Sequence, residues 1–458
     1  LAPFSAGIPA VHEEEVPMHA GTRSRWLLAV GATAVVLGVA GCGDDDDGGG
    51  GGTATTGTGA AAEAPADTSF DQTIGVLLPL TGDLSPFGAP GRKAADLALT
   101  QVQEAMRAGG VDTNVSIESA DTESSPQSAV QAARQLISGG ASCLAGPWAS
   151  SETLAVAESV ASRQRTPIVS PSSTDAAISD LDDDGFVWRT APSDNLQSRA
   201  LADTVEEELG GTDFTISLAA RNDAYGQGFI EKFRAAWEEK GGRTTGPVLY
   251  DPEQPSYNSE AAEIVRGRPD AYVIIDFFET YGKMGASLVR TGEFDAGRLF
   301  TADGLASDRI PDTIPARALI GARGTRPGTP ESGAVVEEFA RIYRAAGGAA
   351  RQTFDAQNFD ATMLCYLAAL AAGSADGADV SEQLQAVSAP PGRRFTFMEL
   401  ADGIRAIAAG EEVDFDGVTG PIDFDDNGDP TAATYEVYRY GDDSALRVER
   451  QFEARAAE

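Results

Sequence analysis

Histidine is almost missing from this chain: His12 and His19 are its two copies, both near the start. Everything after them lacks the commonest general base, the imidazole of Ser-His and Cys-His nucleophile systems, and the imidazole metal ligand. Most hydrolase and zinc chemistries are thereby excluded. Basic residues are also few, 34 Lys and Arg against 70 Asp and Glu, for a formal net charge of −36. A surface of that sign repels phosphate backbones, so nucleic acid is not an expected partner. Scarce lysine and the lack of a Gly-x-Ser-x-Gly elbow weigh against a serine amidase built on Ser151 with a lysine base. Cysteine occurs as Cys42, Cys143 and Cys365. The last two sit in apolar segments and read as small buried side chains more readily than as a bridge, although an exported pair could form one.

The apolar run Trp26 to Ala40 is also short of the roughly 20 residues that a membrane span needs. Preceded by Arg23 and Arg25, it fits the apolar core of a signal peptide. The stretch "VLGVAGCGDDDDGGGGG" (36–52) then changes character at one residue. Val39-Ala40-Gly41-Cys42 resembles a bacterial lipobox, which makes Cys42 the expected lipidated mature N-terminus and residues 1–41 the signal. Glu13, Glu14 and Glu15 stand where a signal should be basic, and Met18 is a better start, so residues 1–17 read as a misplaced gene start. Asp44 to Asp47, the glycines and the Gly/Ala/Thr stretch have too little apolar content to order themselves. Residues 42–70 are expected to be a tether.

From about Asp71 the chain is long enough for two domains with their own cores. Short apolar runs alternate with amphipathic stretches. "TIGVLLPL" (73–80) reads as a buried strand, followed by a helix with Ala95, Ala98, Val102 and Met106 on one face. "VSIESA" (115–120) is a second strand; Ser125-Pro126 opens the next helix, which closes at Gly139-Gly140. "SCLAG", "TPIVS", "GFVWRT", "DFTISLAA", "PVLY", "AYVIID" and "RLFTAD" continue the strand series. Strands spaced by helical patterns imply parallel sheets with right-handed crossovers, an α/β fold. Later helices around 332–345 and 355–372 precede the alternating "ATYEVYRY", a strand, so two lobes exchange chain segments.

Six stretches in order, "IGVLLPLTGDLSPFGAPGRKAADLAL", "LAGPWASSETLAVA", "TPIVSPSSTDAAIS", "FVWRTAPSDNLQSRALAD", "NDAYGQGF" and "GVTGPIDFDDNGDP", resemble the type I periplasmic solute-binding proteins. Within that group the chain is most similar to the branched-chain amino acid (Leu/Ile/Val) binding proteins of ABC importers, over nearly all of residues 72–440. The resemblance implies two Rossmann-like lobes with parallel sheets joined by three crossovers, near Pro192, Arg323 and Gly420, with a ligand cleft that closes on binding. Lobe 1 would be 71–191 plus 324–420, and lobe 2 would be 192–323 plus 421–458. It further implies a monomeric, extracytoplasmic protein without cofactor or metal, partnered by ABC permease subunits and, through Cys42, by the membrane. Leucine-like amino acids, short amides, urea and aromatic acids are all ligands to expect in such a family. A ligand sensor facing a signalling partner is the same-fold alternative.

In open α/β sheets ligands sit beyond the C-terminal strand ends. Two such loops are dense in hydroxyls: Ser150-Ser151, and Ser172-Ser173-Thr174. By resemblance, Ser150, Ser151, Ser172 and Thr174 hold an amino acid's α-carboxylate; read locally, the same hydroxyls also suit helix caps. The resemblance places Tyr225 over the ligand, offers an aromatic at Phe277 or Phe278, with Phe278 preferred, and makes Asp303 the partner of the α-ammonium. Asp303 could equally cap a turn. Phe87 and Trp148 would form an apolar wall, or be ordinary core. Asp423 to Asp429 imitates the start of a calcium loop, but its twelfth position is Thr434, and Asn427-Gly428 reads better as a hairpin turn.

Overall fold

The computed structural model describes residues 68–455; Cys42, the Trp26–Ala40 run and most of the expected tether lie outside them. The first sheet is built from β1 (Asp71–Leu78), β2 (Asn114–Asp121), β3 (Ala141–Ala145), β4 (Ile168–Ser170) and β5 (Val187–Arg189), in the order β2-β1-β3-β4-β5, all parallel. β1 is central and nearly continuous in apolar residues because both of its faces are covered. The helix Gly88–Gly109 buries Ala95, Ala98, Val102 and Met106 on the predicted face and stops at Gly110, whose φ of 75° suits glycine. Ser125 stands at the start of the helix Pro126–Ser138, but its hydroxyl bonds the Gln127 side chain rather than capping the backbone.

A second sheet follows. Strands β6 (Thr215–Arg221), β7 (Arg243–Tyr250), β8 (Ala271–Ile275), β9 (Leu299–Thr301) and β10 (Arg323–Pro327) pair in parallel in the order β10-β9-β8-β6-β7. The chain then adds a small sheet of β11 (Arg393–Phe395), β12 (Val413–Gly417) and β13 (Gly420–Pro421). It returns to the second sheet with β14 (Ala432–Tyr440) and β15 (Leu446–Arg455), both antiparallel. That edge departs from an all-parallel plan, because β14 arrives from the other lobe and β15 is joined to it by a short turn.

The molecule therefore has two lobes and three crossovers. The first runs from Arg189 to the helix Asp194–Leu209, which packs on β10. Arg323 opens β10 and pairs with Phe300 and Arg439, so the second crossover follows Pro327 instead of lying near Arg323. The third leads from β13 to β14. Within it Phe424 bridges back to Pro430, and the Asp429 carboxylate is taken by Arg189 at 2.5 and 2.8 Å.

The first lobe is centred on the helix Asp355–Ala372, buried on every side through Leu370, as an all-round apolar helix must be. It packs on β1 and β3, and this brings Cys365 to Cys143, with Cα atoms 5.6 Å apart in a disulfide. The expectation of two separate buried thiols is thus corrected: sequence shows that both are apolar, but only the packing of helix on sheet shows that they face each other. Among the described residues no helix is long and apolar enough to cross a membrane.

Candidate functional site

Loops at the C-terminal ends of strands in both sheets converge on one cavity. From the first lobe come Leu84 and Phe87 after β1, Trp148, Ala149 and Ser150 after β3, Ser172 after β4, and Phe354 before the core helix. From the second lobe come Tyr225 after β6, Phe277 after β8, and Asp303 with Gly304 after β9. The cavity measures about 20 Å³, close to the room one water occupies. The walls that the two lobes contribute lie close together around it.

The NDAYGQG stretch shows how local sequence builds one wall. Asp223 caps the helix Ala224–Glu239 by accepting from the Gly226 N–H at 3.0 Å. That fixes Tyr225 in the first turn, where its hydroxyl accepts from the Gly304 N–H and donates to Asp303 Oδ1 at 3.3 Å. Gly226 and Gly228 are needed for close approach. A Cβ on Gly226 would lie 2.2 Å from the Arg221 carbonyl oxygen, and one on Gly228 would lie 2.4 Å from Oδ1 of Asp175, a residue of the opposite lobe. Phe277 stacks on Tyr225 with ring centroids 5.1 Å apart, and the Arg221 guanidinium sits 3.9 Å from the Phe277 centroid.

Asp303 is the one charged residue among those lining the cavity. Burial pushes its carboxyl up to about 7, against hydrogen bonds from Gln197 Nε2 at 2.6 Å and from Tyr225. Behind it lies Asp194, fully buried and pushed well above the usual carboxylate range by burial and by repulsion from Asp303 and Asp175. On the opposite wall, Ser172 donates to the Trp148 carbonyl at 2.7 Å, while Ser150 Oγ accepts from the Asp175 N–H at 3.2 Å. Ser150 therefore keeps its proton to give, and Ser172 keeps lone pairs. Glu152 ties the loop from behind, accepting from the N–H groups of Trp148 and Ala149, with burial raising it to about 7. Arg189 holds the neighbouring loop through the carbonyls of Ser173 and Asp175.

Of the residues singled out from sequence, Phe87, Trp148, Ser150, Ser172, Tyr225 and Asp303 line this cavity. Ser151 does not, and Thr174 is fully buried behind the lining, its carbonyl accepting from the Asp194 N–H. Phe278 is displaced by one position: β8 ends at Ile275, Asp276 is turned inward onto Tyr250, and Phe277 in extended backbone faces the cavity. Phe278 begins the helix Phe278–Thr291 and lines an outer groove, its ring 6.0 Å from Phe87. Leu84, Phe354, Gln197 and Arg189 were missed. Gln197 and Arg189 lie inside a stretch quoted above for its family resemblance, but nothing in their spacing marks them as supports.

A family model for periplasmic binding proteins matches residues 71–445. The chain belongs to the type I periplasmic binding proteins. It is 28% identical over 359 residues to the chemotactic signal transduction system substrate-binding protein BasB of Halobacterium salinarum, covering 77% of this chain and 83% of BasB. It is 30% identical over 223 residues to a Leu/Ile/Val-binding protein homologue of Brucella melitensis, covering 48% and 57% of the two. Its fold matches the branched-chain amino acid transporter substrate-binding protein LivJ of Streptococcus pneumoniae, solved in complex with isoleucine, with a TM-score of 0.67 at 20% identity over 84% of this chain and 100% of that one. This solute-binding protein accordingly works outside the cytoplasm, in a family of small-molecule binders that serve ABC permeases.

Proposed function

We propose that the protein captures an amino acid with an apolar side chain in the cleft and delivers it to an ABC importer, making and breaking no bond. The observation that carries this reading is the asymmetry of the cavity. A single carboxylate, Asp303, faces a wall with the Ser150 hydroxyl, and the remaining lining is mostly Leu84, Phe87, Trp148, Phe277 and Phe354. A ligand ammonium would pair with Asp303 and the Ser172 lone pairs, its carboxylate would take the Ser150 proton, and its side chain would meet the aromatic rings. A desolvated ammonium needs such a partner, since leaving it unpaired costs several kcal/mol. The ligand contacts both lobes only when they close, so binding shifts the population toward the closed form.

Calorimetric titration of the protein with leucine, isoleucine and 4-methylpentanoate tests the reading. The amino acids are expected to bind at micromolar concentrations or below, and the acid, which lacks only the ammonium, at least about 30-fold more weakly. Equal affinity for leucine and 4-methylpentanoate would replace the zwitterion with a plain carboxylic acid.

The anchor belongs to the same proposal. Val39 to Cys42 supports lipidation of Cys42, so protein extracted from membranes should carry a diacylglycerol-modified Cys42 at its N-terminus, and Cys42→Ser should leave the membrane fraction. An unmodified mature N-terminus elsewhere would end that part of the reading. A second reading, a sensor that presents its closed form to a signalling protein, draws support from the similarity to BasB. Loss of leucine uptake in a deletion strain favours import, and loss of taxis with uptake intact favours sensing.

A further inference from the structure

Outside the cavity, the two lobes meet through a charge contact that touches none of the space between Asp303 and Ser150. Asp83 lies in the loop after β1, in the first lobe. Its Oδ2 is 3.0 Å from Nη2 of Arg221, which ends β6 in the second lobe, and it also accepts from the Thr280 hydroxyl at 3.2 Å. The Arg221 side chain is 6% exposed and that of Asp83 25%. Asp83 also borders the groove of about 710 Å³ at the cleft mouth, with Ser85 and Pro86 on its own side and Phe278 and Lys283 across from it.

Arg221 meets a different carboxylate with each of its nitrogens. Nε is 2.5 Å from Asp223 and Nη1 is 3.9 Å from Asp276, both in its own lobe, while Nη2 takes Asp83. When the lobes part, Arg221 keeps Asp223 and Asp276, and Asp83 returns to water. Neither charge is left buried and unpaired, so the contact can form and break reversibly. The same guanidinium lies over Phe277, which forms the aromatic wall with Tyr225. Closing Asp83 onto Arg221 therefore also seats that wall.

We propose that Asp83 and Arg221 form a latch between the lobes that sets how much of the protein is closed, and hence its affinity for solute, without contacting the solute. The consequence for affinity rests on the cleft being the solute site; the latch itself does not. Hydrogen exchange of the full chain with no ligand added reads the latch directly. In Asp83→Ala, segments 79–87, 147–152, 222–228 and 276–281 should exchange several-fold faster than in the wild type, and the core helix Asp355–Ala372 should not change. Asp83→Glu should restore part of the protection, and raised salt should loosen the wild type but not Asp83→Ala. Leucine affinity in Asp83→Ala should fall about tenfold, since the lost closed population enters the apparent affinity directly. Unchanged exchange in the four segments, or acceleration spread equally into the core helix, overturns the latch. If exchange shifts as expected while leucine binds neither protein, the latch stands and the amino acid reading falls.

Discussion

Replacing Asp303 with Asn removes a charge while keeping an acceptor for Gln197 and Tyr225. The wild-type carboxyl is buried and pushed from the ordinary 3.8 to about 7, so two effects of opposite sign follow. For binding, an ammonium can pair only with the ionised form. Leucine affinity of the wild type should rise about tenfold per pH unit up to pH ~7 and then level off, with a proton released at the lower pH values. Asp303→Asn should lose about 2–5 kcal/mol of binding free energy at pH 8 and show a flat profile.

For the unliganded fold, a raised carboxyl contributes stability that is complete below its unfolded value and is lost as pH rises through about 7. A shift of this size corresponds to about 4 kcal/mol as an upper figure. Asp303→Asn escapes that loss, so its melting temperature should draw level with the wild type near pH 4 and exceed it at pH 8. Calorimetric titrations at pH 5, 6, 7 and 8, in buffers of different ionisation enthalpy, with thermal unfolding at the same pH values, measure both arms. An Asp303→Asn variant that binds leucine within threefold of the wild type, with the same pH slope, would refute the pairing.

Three further outcomes are expected. Gly228→Ala should stabilise its helix by roughly 0.5–1 kcal/mol, yet weaken leucine binding at least tenfold in calorimetry, because the added Cβ would lie 2.4 Å from Asp175 Oδ1 when the lobes close. Asp429→Asn leaves the fully buried Arg189 without its ion-pair partner, so denaturant unfolding should show a loss of about 3–5 kcal/mol and titration a weaker grip from the Ser173–Asp175 loop. Cys143→Ala should lower stability by up to about 5 kcal/mol for a loop of 222 residues, visible as a melting shift that reducing agent reproduces in the wild type only.

Legibility from sequence followed the physics of each signal. Apolar runs such as 73–80 and the Ala95/Ala98/Val102/Met106 stripe report burial by periodicity alone, so the strand and helix series is readable. Motif loops in the resemblance carry Ser150, Ser172, Tyr225 and Asp303 into the cavity because each immediately follows a strand or opens a helix. Positions that depend on backbone turning failed. Phe277 and Phe278 differ by one residue at a strand-to-helix junction, where composition is identical and only the extended conformation of Phe277 decides which ring faces the cleft. Long-range pairings were invisible for a similar reason: Arg189 with Asp429, and Cys143 with Cys365, are joined by crossovers whose paths no local pattern encodes.

The bond between Cys143 and Cys365 has a topological result. Strands β6 to β10 and the helices between them all lie between these two positions, so most of the second lobe is a closed covalent ring carried on the first. A protease that cuts once anywhere in that stretch leaves two fragments still tied at Cys143, with the sheets and their crossovers held in register. For a protein that works outside the cytoplasm, a nick in the exposed half of the clamp need not release it. The same ring makes the second lobe the natural place to open the chain deliberately, for an inserted reporter domain or for new termini.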